Sequence, residues 1–195
     1  VKFPQARVLG GGSCVAGMVA FRGTADDYDG WQAAGAQGWS WEDVKPYFCR
    51  LETDQDFPGP DHGKDGPIPI RRVPRAQWPK LTRAIEAFAR DDGMPIVDDM
   101  NGDFRDGFGA TPISNTDAGR ITTAEGYLTA AVRQRPNLTI LADTRVLSLR
   151  IVGTRVAGVD AETAGQTRSF TAAEVIISAG TIHSPALLQR SGIGG

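Results

Sequence analysis

Two segments of this chain carry residue types that can do chemistry. Near the start, Gly10-Gly11-Gly12-Ser13 is a backbone free of bulky side chains, where successive N–H groups can face an anion or a planar ring that must come close. A plain glycine turn is the bland alternative. Against it, hydrophobic residues interleave the glycines in Ala16-Gly17-Met18-Val19-Ala20-Phe21. Near the end, Val175-Ile176-Ile177 runs into the turn Ser178-Ala179-Gly180, followed by Ser184-Pro185 and a stretch that closes on Gly192. Common catalytic patterns do not occur: there is no GxSxG nucleophile elbow, HExxH, GxxxxGK[ST] or paired-histidine metal spacing, and no metal ligands are assigned. Of the two histidines, His62 sits in a Pro/Gly loop and is expected to be solvated, and His183 is expected to be structural. Cys14 and Cys49 are too few for a disulfide framework and lack CxxC spacing, which fits a reducing cytoplasm.

The stretch Gly180-Thr181-Ile182-His183-Ser184-Pro185-Ala186-Leu187-Leu188-Gln189-Arg190-Ser191-Gly192-Ile193-Gly194 resembles the second signature of the glucose-methanol-choline (GMC) family of flavin oxidoreductases at every defined position. Ala6-Arg7-Val8-Leu9-Gly10-Gly11-Gly12-Ser13 through Arg22-Gly23 resembles the first signature, the flavin-attachment loop. The likeness continues through Tyr28-Asp29-Gly30-Trp31, Gly38 to Val44, Pro46-Tyr47-Phe48, Gly66-Pro67, Asn101-Gly102, Tyr127-Leu128 and Arg135 to Leu138, so it covers essentially all 195 residues.

The resemblance implies an α/β fold of mixed α+β character: Rossmann-like FAD-binding portions at residues 1–64 and 116–195, with an inserted substrate-side subdomain at 65–115. Arg7, Gly11, Gly12, Ser13, Ala16, Gly17 and Met18 would line the flavin's pyrophosphate and isoalloxazine, and backbone N–H groups near Gly17 and Met18 would polarise its reduced pyrimidine side. Val146 would meet the adenine through its backbone, and Ala179 and Gly180 would pass near the same end. The implied reaction is oxidation of a small-molecule alcohol, choline-like substrates included, with hydride transfer to flavin N5. Hydroxynitrile-lyase-like chemistry on a flavin scaffold and a non-catalytic module are the rival readings.

Departures from the family pattern sharpen these expectations. Ala16 stands where the family usually has Asn, which removes a polar contact near the flavin. Val15 stands where choline oxidases link the flavin through His, so FAD is expected to be non-covalent. Cys14 replaces a common Ser and reads as a small buried thiol. Neither the GxGxxG turn nor the segment with the family's catalytic His is found, so the chain reads as an internal piece of the family's N-terminal region, inactive alone and with no catalytic base assigned. Which alcohol, which electron acceptor, oxidase or dehydrogenase, and the oligomeric state all stay open.

The elements that must position these segments are partly legible. Formal net charge is -2, with no cationic run to track a phosphate backbone, so nucleic acid is not an expected partner. No apolar stretch approaches a bilayer's thickness. Gly (24) and Pro (12) are abundant enough to predict frequent turns and few long helices. Ser40 with Asp43 predicts a capped helix that Pro46 kinks or restarts. The proline cluster that follows suggests a border near residue 64 and a short edge strand at 68–73. Leu81, Ile85 and Phe88 predict an amphipathic helix closed by Gly93. Residues 123–135 predict one helix, and 138–141, 146–149 and 156–159 predict strands with a hairpin turn at 152–155. Residues 175–177 read as a strand covered on both faces, with Ser184 and Pro185 opening the helix after it. Trp31, Trp39, Trp41 and Trp78 read as core or contact residues rather than stacking platforms.

Overall fold

The computed structural model describes residues 3–194, which group into two compact units divided between Arg135 and Pro136. The fold is mixed α/β. Among the described residues no helix is long and apolar enough to cross a membrane.

In the first unit, the glycine segment makes one 3-10 turn at Gly11–Cys14 and is otherwise irregular. Helix α1 (Ala25–Ala33) begins on Thr24, and α2 (Trp41–Leu51) begins on Ser40; each N-cap closes a capping box with an aspartate at the third helical position, Asp27 or Asp43. Contrary to expectation, α2 runs unbroken through Pro46. It leads directly into β1 (Glu52–Asp54), which pairs in parallel with β2 (Ile68–Ile70). The expected edge strand is therefore shorter than 68–73, because beyond Ile70 the chain makes a single bridge, Arg71 with Ile113. Helix α3 (Lys80–Asp91) follows, then the two-residue pairs β3 (Ile96–Val97) with β4 (Phe108–Gly109) and β5 (Asn115–Thr116) with β6 (Gly119–Arg120). Periodicity cannot signal strands this short.

The helix expected over 123–135 is two helices, α4 (Thr123–Tyr127) and α5 (Ala130–Arg133). Leu128 leaves the helical region, and the Thr129 hydroxyl accepts from the Val132 N–H to start a second helix; a capping side chain here competes with continuation. The amphipathic reading of α3 holds as a pattern but does not predict its packing: Leu81 and Phe88 are 71% and 70% exposed, while the face carrying Thr82, Glu86 and Ala89 is turned inward, where Glu86 Oε1 pairs with Arg75 Nε at 3.0 Å. Of the four tryptophans, Trp78 is buried with its indole donating to the Val73 carbonyl, and Trp41 meets Phe104 edge to face at 5.3 Å; Trp31 and Trp39 contact each other but stay half-exposed.

The second unit is an antiparallel meander of β7 (Thr144–Val152), β8 (Arg155–Thr163) and β9 (Gln166–Thr171), with α6 (Gly180–Arg190). The turn between β7 and β8 falls where Gly153 predicts it, with φ 61°. Ser191 donates to the Leu187 carbonyl and accepts from the Leu149 N–H, which ties the end of α6 to β7. Three expectations are corrected. Residues 138–141 and 175–177 form no strand, and Ile176 is 82% exposed; an apolar run becomes a strand only when another strand satisfies its backbone, and none does so among the described residues. Helix α6 starts at Gly180, so Ser184 and Pro185 lie inside it, and the Ser184 hydroxyl accepts from the Ala179 N–H.

The reciprocal Ser40–Asp43 cap generates a stability prediction. Ser40→Ala should cost about 1 kcal/mol, seen as a lower urea midpoint at unchanged slope.

Candidate functional site

The glycine loop is held from one side. Behind it, the Gly10 carbonyl accepts from the Ser13 hydroxyl at 2.6 Å and the Thr123 hydroxyl at 3.2 Å, and the Thr123 N–H donates to Ser13 Oγ at 3.0 Å. Arg120 on β6 donates through one nitrogen, Nη1, to two loop carbonyls, Ser13 at 3.0 Å and Ala16 at 2.5 Å. Met18 has φ 63°, a region that costs a residue bearing a side chain roughly 1–3 kcal/mol. Its carbonyl accepts from both the N–H and the hydroxyl of Ser114, which hold it there.

A Cβ placed on Gly11 or Gly12 would meet nothing within 4 Å. The N–H groups of Gly17 and Met18 donate to no group among the described residues. Val8, Val15, Val19 and Phe21 leave apolar surface exposed along the same segment. Free backbone donors beside side-chain-free and apolar surface suit a ligand that is anionic at one end and flat and apolar at the other. Gly11, Gly12, Ser13, Ala16, Gly17 and Met18 are thus brought together in one loop, while Arg7 lies exposed just before it.

The loop's far end is anchored in a buried charge cluster. Asn101, with no exposed surface, donates to the Ala20 carbonyl at 2.9 Å and accepts from the Arg22 N–H at 3.1 Å. Arg22 donates to Glu52 Oε1 at 2.5 Å and to the Asp61 carbonyl at 2.6 Å. His62 is buried, which corrects the expectation of a solvated side chain. Its Nδ1 lies 3.2 Å from Glu52 and 3.1 Å from Asp54, and its Nε2 lies 2.7 Å from Asp99. Arg72 closes the ring, 2.5 Å from Asp54 and 3.1 Å from Asp99. Both guanidiniums also lie over aromatic rings, Arg22 on Phe48 and Arg72 on Phe57.

Glu52, Asp54 and His62 each present an atom close enough to share a metal ion. Glu52 Oε1 and Asp54 Oδ2, however, already accept from Arg22 and Arg72, whose charges disfavour a further cation. The arrangement suits a structural clasp. Asp54 expresses its balance of forces: burial pushes its carboxyl up, but the hydrogen bond from Arg72, the N–H groups of Asp56 and Phe57 and the Arg72 charge outweigh this and hold it below the ordinary 3.8.

The remaining expected contacts belong to the second unit. Val146 is half-buried on β7 opposite Ala161, beside a register shift that leaves Leu147 unpaired. Ala179 and Gly180 are exposed at the start of α6, where Gly180 takes φ 85°. His183 is exposed on α6. Sequence reasoning missed Arg120, Thr123 and Ser114 behind the loop. It also missed the clasp, whose one available signal was Glu52 and Asp54 two apart, hence on one face of a strand.

A family model described as GMC oxidoreductase matches residues 1–195. The 5-(hydroxymethyl)furfural oxidase of Methylovorus sp. (strain MP688) is 43% identical over 193 residues, 98% of this chain and 36% of that protein. The oxygen-dependent choline dehydrogenase of Serratia proteamaculans (strain 568) is 40% identical over 192 residues, 95% of this chain and 34% of that protein. Among solved structures, pyridoxine 4-oxidase from Mesorbium loti aligns with a TM-score of 0.89 at 34% identity, covering 97% of this chain and 37% of its own. An FAD-dependent oxidoreductase from Chaetomium thermophilum aligns with a TM-score of 0.87 at 28% identity, covering 97% and 35%. The chain thus spans about a third of the length of these proteins.

Two measurements probe the clasp. Arg22→Leu leaves Glu52 buried without its guanidinium and should cost roughly 3–5 kcal/mol in chemical denaturation. A carboxyl depressed in the native state stabilises the fold above its ordinary value and loses that contribution as pH falls below about 3.8. Asp54→Asn should therefore lower stability at neutral pH and flatten its decline in an acid titration.

Proposed function

Because the chain belongs to the GMC oxidoreductase family, we propose that it is the FAD-binding share of an enzyme that oxidises the CH–OH group of a small alcohol. The carrying observation is the loop at residues 10–18: the Gly17 and Met18 N–H groups have no partner among the described residues, while Arg120, Thr123 and Ser114 bind its carbonyls. Gly11 and Gly12 let the backbone approach the cofactor, and Arg7, Ser13 and Ala16 border the same surface. Gly17 and Met18 direct N–H groups at the region where negative charge gathers on reduction, an oxyanion-hole type of stabilisation. Val146, Ala179 and Gly180 are assigned to the adenine end. With Val15 offering no nucleophile for a covalent link, the cofactor is held non-covalently.

The chemistry supplied by FAD when bound is acceptance of a hydride from the carbinol carbon at N5. This chain's residues hold the acceptor and tune its field; they are assigned no role in taking the hydroxyl proton. His62 cannot take it, since both ring nitrogens already face carboxylates in a buried cluster. Residues 65–115 belong to the substrate side, a primary or secondary alcohol is the substrate class, and a cytoplasmic setting keeps the free thiols of Cys14 and Cys49 reduced.

The test is made on the full-length protein that carries these residues. Purified, it should show flavin absorption, release free FAD on denaturation and reduce a redox dye with an alcohol; a folded, colourless protein that takes up no FAD would sink the reading. Gly12→Leu fills the open space in front of the loop, so FAD occupancy should fall at least tenfold while Tm stays within about 3 °C.

A further inference from the structure

Arg120 stands outside both glycine signatures, yet it is the side chain that grips the loop's backbone twice. One nitrogen bridges the carbonyls of Ser13 and Ala16 and so spans the turn between them. A trans peptide is planar, with its C=O and N–H pointing in opposite directions. No peptide bond among the described residues is cis. Holding the Ala16 oxygen on Arg120 therefore turns the Gly17 N–H the other way, to the side where it has no protein partner. The guanidinium does more than aim the group. A cation hydrogen-bonded to a peptide oxygen draws electron density toward itself and makes the N–H of that same peptide a stronger donor.

Thr123 and Ser114 do not share this role. Thr123 acts on Gly10 and Ser13, and Ser114 on the Met18 carbonyl, which belongs to the peptide after Met18. The ribbon β5–β6 gives Arg120 a rigid base. Arg120 pairs with Asn115 across it, and the neighbouring Arg71 bonds the side chains of Asn115 and Asp117 and the Thr116 carbonyl without reaching the loop.

We propose that Arg120 is a positioning residue that aims and polarises the Gly17 N–H, and through it favours the reduced form of the flavin. This rests on the reading of the loop as the flavin site. A donor aimed at developing negative charge binds the reduced cofactor better than the oxidised one, so its loss lowers the midpoint potential.

The experiment compares full-length, FAD-saturated Arg120→Ala, Arg120→Lys and Arg71→Ala with the unmodified protein, reading midpoint potential, visible absorption of the bound flavin and Tm. Arg120→Ala should weaken the preference for reduced over oxidised flavin by about tenfold, a potential lower by about 30 mV for two electrons, and shift the bound flavin's absorption. Arg120→Lys keeps the charge on a shorter side chain, so it should fall between, and Arg71→Ala should match the unmodified protein in both readouts. Unchanged potential and absorption in the Arg120 variants, even with a lower Tm, would leave Arg120 a structural prop and overturn the inference. An equal shift in Arg71→Ala would overturn it too, by making the effect a general one of ribbon charge. If Arg120→Ala does not fold, Arg120→Lys decides by the same criteria. An unmodified protein that binds no flavin overturns the flavin reading itself, whereas flavin binding with no Arg120 effect leaves that reading standing and removes only this inference.

Discussion

Buried charge has to be matched on the spot, and that requirement organises the first unit. Arg22, Glu52, Asp54, His62, Arg72 and Asp99 come from five separate stretches of chain and meet where water cannot screen them. Ionised carboxylates can only accept, and the three acids are faced by the donors of Arg22 and Arg72 and by both ring nitrogens of His62. Such a cluster adds little net stability over apolar packing, because desolvation opposes the attraction, but it is costly to break and so admits few alternative arrangements. The unit's buried apolar residues, Ile68, Ile70, Trp78, Ala89, Val97 and Ala124, form a modest core around it. Backbone crowding reinforces the arrangement: a Cβ on Gly63 would lie 1.8 Å from the Cys49 carbonyl oxygen, so the chain beside His62 passes against the end of α2 with no room for a side chain.

From that clasp the glycine loop inherits a fixed end. Asn101 connects the two, joined on one side to Ala20 and Arg22 and on the other, through its own N–H, to Asp99. At the loop's beginning Ser13, Thr123 and Arg120 do the corresponding work. The carbonyls are satisfied from behind, and the price is a left-handed Met18. What remain are the Gly17 and Met18 N–H groups, without a partner among the described residues. Preorganisation of this kind lets backbone dipoles act on a developing charge without first having to reorient.

Several elements were readable from local chemistry. Ser40 with Asp43 announced α2, Gly153 the hairpin turn and Gly192 the end of α6. These are short-range signals, set by hydrogen bonds that close within a few residues. The failures share the opposite character. His62 was misjudged because prolines and glycines around it suggest exposure, while the acids that bury it lie up to 37 positions away. Apolar runs at 138–141 and 175–177 carry strand-forming residues but have no strand beside them among the described residues. On α3 the apolar stripe marks amphipathicity correctly, yet the face turned inward is the neighbouring one, held through Glu86 and Arg75.

Sequence alone determined the family, because two glycine-bearing signatures in the right order constrain residue identity at many positions at once. It also marked the glycine loop, and Ala16 and Val15 within it as departures from the family pattern. Tertiary structure decided how that loop is used. Which carbonyls are tied down, which N–H groups stay free, and that Arg120 and the His62 clasp do the tying all depend on hydrogen bonds between residues 10 to 110 positions apart. Directional bonds over such separations leave no periodic trace in the chain, since they are chosen by where the folded backbone happens to bring a donor and an acceptor together.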